Sequence, residues 1–196
     1  MPRVCRARRM ELKVITNPID QAGPARRLLS NLFYGWGYNF YRREDDLQAD
    51  DLLIRAKLGQ LLCDSRTRLL SVHAAFVRKL LPRDRGGARA NPAIVEMERA
   101  LESAERELQG LETAVLSAAA PEPGRIRRRD RERLATLARL VALDGEALLA
   151  LVTLRDAIAR FEDGAAAALG IDGLLKASGF AALWSRRQAA LASAVQ

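Results

Sequence analysis

Histidine occurs once in this 196-residue chain, at His73, and cysteine twice, at Cys5 and Cys63. That scarcity removes whole classes of chemistry. One histidine cannot supply the paired Glu-x-x-His motifs of a di-iron helical bundle. Two cysteines and one histidine in no ligand spacing do not make a zinc site. On one straight helix Cys63 and His73 stand about 15 Å apart, too far for a nucleophile pair. Two cysteines form no disulfide scaffold either, and this points to a reducing, cytoplasmic setting. No glycine-rich phosphate loop and no G-x-S-x-G elbow is present. No apolar run approaches the ~18–20 residues that span a bilayer. The opening M-P-R-V-C-R-A-R-R is basic and lacks the apolar core of a secretory signal; it reads as an arm, or as leader ahead of a start at Met10. No cofactor is expected, and catalysis is the less favoured reading.

Lysine is also sparse, at Lys13, Lys57, Lys79 and Lys176, so arginine carries nearly all of the positive charge. The net charge is +8 and the sequence pI about 10.3. A balance this basic admits an anionic partner such as nucleic acid or a lipid headgroup, but an arginine-rich composition alone produces the same total. Hydrophobic residues at 49% and charged residues at 29% describe a chain that folds around a core.

What the chain has in quantity is Ala, Leu, Arg and Glu at helical spacing. From Glu44 to Leu81 the residues Leu47, Ile54, Leu58, Leu61, Leu69, Val72, Phe76 and Leu80 follow the 3.6-residue period. Pro82 to Pro92, with Gly86 and Gly87 inside, reads as a loop. Between Pro92 and Ala119, Ile94, Met97, Leu101, Ala104, Leu108, Leu111, Val115 and Ala118 alternate three- and four-residue steps, a coiled-coil-like seam. This seam, 94–118, offers a route to a homo-dimer unless the wide apolar face of 134–161 fills it within the chain. Pro121-Glu122-Pro123-Gly124 permits a reversal. A third helix is expected over Arg125–Leu169, interrupted at Gly170–Gly173, with one or two short helices to follow and Gly179 as their weak point. The expectation is therefore all-α: an elongated antiparallel bundle of three long helices, with a coiled-coil-like hairpin and shorter terminal helices. Residues 1–23 read as a basic, extended or poorly ordered arm, and 24–196 as a single helical domain.

Three patterns are candidate sites. Phe33, Tyr34, Trp36, Tyr38, Phe40 and Tyr41 crowd six of the ten aromatics into nine positions, with Arg42 and Arg43 beside them. That composition suits a core plug, a surface that docks a protein partner, or an anchor at a membrane interface. Docking through this segment gives the leading functional expectation, a non-enzymatic accessory or adaptor protein. Arg125, Arg127, Arg128, Arg129, Arg131 and Arg133 crowd a helix start, where the dipole disfavours cations. Either glutamates of the preceding helix (Glu105, Glu107, Glu112) or a nucleic-acid backbone would offset this, and the second is the alternative function. Asp46 and Asp50, four residues apart in the acidic run 44–51, share a helix face and give the second alternative, a Mg²⁺-dependent helical enzyme. The spacing D-D-x-x-x-D-D differs from the D-D-x-x-D of prenyl-transferring enzymes. A carboxylate-rich helix start explains the same residues.

Overall fold

A computed structural model describes residues 47–80, 91–119 and 130–195. Five helical segments make up these residues: α1 Leu47–Leu80, α2 Pro92–Leu116, α3 Asp130–Ala159, α4 Gly164–Ser178 and α5 Phe180–Val195. No strand occurs among the described residues. The fold is an all-α bundle in which α4 and α5 follow one another closely enough to act as one rod, giving four rods.

Local chemistry sets the helix ends. Asn91 caps α2, its side chain accepting from the Ala93 N–H at 3.0 Å, and Pro92 occupies the first turn, where its missing donor costs nothing. The reading of one helix over Arg125–Leu169 needs correction. The helix ends at Ala159, and Asp163 opens a new one by accepting from the Ala166 N–H at 2.8 Å. Arg68 of α1 stabilises this break by donating to the carbonyls of Phe161 (3.0 Å) and Ala159 (3.4 Å). A cation there also suits the negative end of the α3 dipole. Gly170 and Gly173, expected to interrupt the chain, lie inside α4. The real interruption is Gly179, whose φ of 62° lies in the left-handed region that glycine enters without penalty. There the Ser178 hydroxyl accepts from the Phe180 N–H at 3.3 Å and restarts the helix.

Two pairs of rods pack in constant antiparallel register. Along α1 and α2 the contacts run Gly59 to Leu116, Arg66 to Glu112 and His73 to Glu105. Along α3 and the α4–α5 rod they run Phe161 to Gly170 and Asp144 to Arg187. The main core takes Leu58, Leu61, Leu62 and Leu69 from α1, and Leu101, Leu108 and Val115 from α2. It adds Leu148, Leu151 and Ile158 from α3, Ile171 and Leu175 from α4, and Phe180 and Trp184 from α5. Each large side chain buried this way contributes about 1.5–3 kcal/mol relative to exposure. A smaller cluster of Leu140, Leu143, Ala190 and Leu191 joins α3 to α5.

The α2 seam is filled within the chain. Leu101, Ala104, Leu108 and Val115 are buried, and Ile94, Met97, Leu111 and Ala118 pack against them. Two glycines mark close approaches between rods. A Cβ on Gly59 would meet Leu116 Cδ2 at 2.9 Å, and one on Gly164 would run into the side chain of Phe76. The stretch Gly164–Ala192 is long and apolar enough by composition to cross a bilayer, with an 18-residue window of mean hydropathy 1.3, contrary to the expectation that no apolar run approaches that length. In the bundle its inward face supplies the core residues just named.

Candidate functional site

Polar side chains seldom go fully inside a bundle without partners, so buried ones are the natural place to look for a site. Asp51, Arg55, Ser65, Asp144 and Arg187 are buried here. Ser65 spends its hydroxyl locally, donating to the Leu61 carbonyl at 2.7 Å. The other four form one network. Arg187 of α5, with no exposed surface, donates through Nη1 to Asp51 Oδ1 of α1 at 2.7 Å and through Nε to Asp144 of α3. Asp51 Oδ2 lies 2.6 Å from Nη2 of Arg55, one turn further along α1. Arg55 in turn donates to the carbonyl of Ala118, just past the end of α2. The Trp184 ring lies 5.3 Å from the Arg187 guanidinium carbon and adds a cation–π contact.

This network ties α1, α3, α5 and the exit of α2 to one point. Its two arginines and two aspartates balance in charge. Burying ions costs several kcal/mol each, and short mutual contacts offset that cost only when the geometry is good. The charges are thus committed to one another, which suits holding helices and gives no surplus charge to a ligand.

A second polar line runs along the α1–α2 boundary, nearer solvent. His73 Nδ1 and Glu105 Oε1 are 2.8 Å apart, and Arg66 Nε and Glu112 Oε2 are 3.3 Å apart. These glutamates therefore face α1, whereas the sequence had offered them to the arginine run after the reversal.

The functional expectations are corrected accordingly. The Mg²⁺-enzyme reading falls because, among the described residues, no three His, Cys, Asp or Glu side chains gather to hold a metal ion. Asp51 of that acidic run is spent on arginines. Asp50 lies in the first turn of α1, and Asp46 lies outside the described residues. The reading of an adaptor docking through an aromatic cluster falls as well. The described aromatics form no such surface: Phe76, Phe180 and Trp184 are buried and Phe161 packs against the core. Phe33, Tyr34, Trp36, Tyr38, Phe40, Tyr41, Arg42 and Arg43 lie outside the described residues. So do Arg125, Arg127, Arg128 and Arg129, while Arg131 and Arg133 fall in the first turn of α3.

Sequence reasoning missed the network itself. Arg186 and Arg187 are adjacent in the chain, yet Arg186 is exposed and Arg187 is buried. The signal was present. Arg187 sits three residues after Trp184 and seven after Phe180, on the apolar stripe, and Asp144 sits midway between Leu140 and Leu148. Two opposite charges at core positions of two helices predict that they meet.

Charge is unevenly distributed along the chain. The described residues hold 16 Lys and Arg against 17 Asp and Glu. Of the chain's 32 basic and 24 acidic residues, that leaves 16 and 7 in the segments outside. The helical body is close to neutral, and the whole basic character belongs to residues 1–46, 81–90 and 120–129. Chain order and the antiparallel α1–α2 register attach the first and third of these at the same end of the bundle, the end nearest the buried network. No protein-family model, curated protein or solved structure matches the chain.

Proposed function

We propose that the protein is a structural module of the cytosol: a charge-neutral helical support that meets an acidic protein surface through the basic segments at one end. The observation that carries this reading is the charge division between body and attached segments. A general compositional bias would spread arginine over the helices as well. Long-range attraction from clustered cations speeds encounter with an acidic partner and favours it over a basic one. The neutral bundle is suited to hold such segments at a fixed spacing. In this reading α1 and α2 form an elongated coiled-coil-like hairpin, about 50 Å along α1, and 24–196 behaves as one domain.

The test compares the two ends. Arg125, Arg127, Arg128 and Arg129 are replaced together by Gln in one variant, and Arg83, Arg85 and Arg89 in another. Retention on an immobilised polyglutamate peptide is followed through a salt gradient. The first variant should elute at clearly lower salt than the second. Equal elution of both, or no retention of the parent chain at 150 mM salt, refutes the reading. Stronger and sequence-independent retention on a DNA duplex would move the partner class to nucleic acid, with the steep salt dependence that counterion release imposes.

A further inference from the structure

We infer that the buried Asp51–Arg187–Asp144 network is a register pin: it selects which turn of α5 faces α3 and α1, and adds little to overall stability. The argument starts from the composition of α5, F-A-A-L-W-S-R-R-Q-A-A-L-A-S-A-V. Alanine recurs on several faces, and small side chains give a smooth surface with few knobs to fit particular holes. Between Trp184 and Ala192 the buried apolar residues of α5 are Ala190 and Leu191. A slip of one turn along α3, about 5.4 Å, would bring Leu191 to the place of Arg187, Ala194 to that of Ala190 and Val195 to that of Leu191. Beyond Trp184, apolar packing therefore discriminates weakly between these two registers.

Arg187 removes the ambiguity. It occupies a core position where leucine would be usual, is fully buried, and contacts carboxylates from two different helices. A one-turn slip would carry the guanidinium away from both and strand two buried aspartates. A single buried polar residue sets register and partner choice in coiled coils in the same way, at some expense of stability. Replacing a complete buried ion cluster by apolar residues is commonly neutral or stabilising, whereas removing one member is not.

The test uses the full chain, with Cys5→Ser and Cys63→Ala removing the native thiols. Nitroxide labels go on Asp156→Cys in α3 and Ser185→Cys in α5, both exposed positions, and pulsed electron resonance reads their separation. Two versions are compared with the parent: Arg187→Met alone, and the apolar set Asp51→Leu, Arg55→Met, Asp144→Leu and Arg187→Met. The parent should give one separation. The single variant should lose much of its thermal stability. The apolar set should keep or raise its Tm yet show two or more separations spaced by about 5 Å. A single separation in the apolar set would overturn the pin, because packing alone would then fix the register. A Tm as low as that of Arg187→Met, or failure to fold, would overturn it too, because the network would then be a source of stability.

Discussion

The two long interfaces of this bundle solve one problem with different materials. Between α1 and α2 the buried positions are large and irregular: Leu58, Leu61, Leu62 and Leu69 meet Leu101, Leu108 and Val115. They pack into one core, and the polar pairs His73–Glu105 and Arg66–Glu112 stay at its partly buried margin. Between α3 and α5 the lower half of the contact is smaller, with Leu140, Leu143, Ala190 and Leu191 as a cluster of its own. Here the charges move to the centre. Shape fixes alignment where side chains are large, and charge fixes it where they are small.

The largest expected effect comes from breaking the charged side. Asp144→Ala leaves Arg187 buried beside one carboxylate fewer, and should cost about 3–5 kcal/mol, the usual loss when one partner of a buried pair is removed. Urea unfolding should show the loss as a lower midpoint with little change in slope. Breaking the shape-based side should cost slightly less. Leu108 has no exposed surface, and Leu108→Ala should lose about 3 kcal/mol through lost burial and the cavity left behind. Hydrogen exchange separates the two: Leu108→Ala should loosen α1 and α2, whereas Asp144→Ala should loosen α5 first. Similar exchange patterns in both variants would erase the contrast drawn above.

The smallest effect lies on the solvent face of α4, away from both interfaces. Lys176 bonds to the Asp172 carboxylate one turn earlier at 2.7 Å, and this raises its pKa above the ordinary lysine value of 10.5. A raised lysine pKa gives stability that is present below the unfolded value and lost as pH climbs through the folded one. An NMR titration of the Lys176 side chain should therefore show a midpoint above that of an ordinary lysine. Asp172→Asn should bring it back, with almost no change in Tm because the pair is exposed.

Most of the helical plan could be read from residue spacing. The periods over 47–80 and 92–116 are strong because their core positions are large and regularly placed, and Asn91-Pro92 marks a helix start by simple capping chemistry. The split of the third helix was harder to see. Phe161 continues the apolar stripe, so periodicity runs on through a break that Asp163 and Arg68 create by hydrogen bonding to the backbone. Gly170 and Gly173 misled for the opposite reason: packing of Ile171 and Leu175 overrides their low helix propensity. The buried network was the least legible part. Arg187 meets Asp51 across 136 positions and Asp144 across 43, and no local window holds such a pairing. Only the placement of charged residues on greasy stripes hinted at it.

Gly164 turns the α4–α5 rod into a lever. Its backbone rests so close to Phe76 that even a methyl group has nowhere to go. A wedge inserted there would tilt the start of α4, and the far arm, roughly 34 Å along at Arg187, would swing most. One added carbon at the fulcrum can therefore be felt at the opposite end of the molecule, with no residue between them altered.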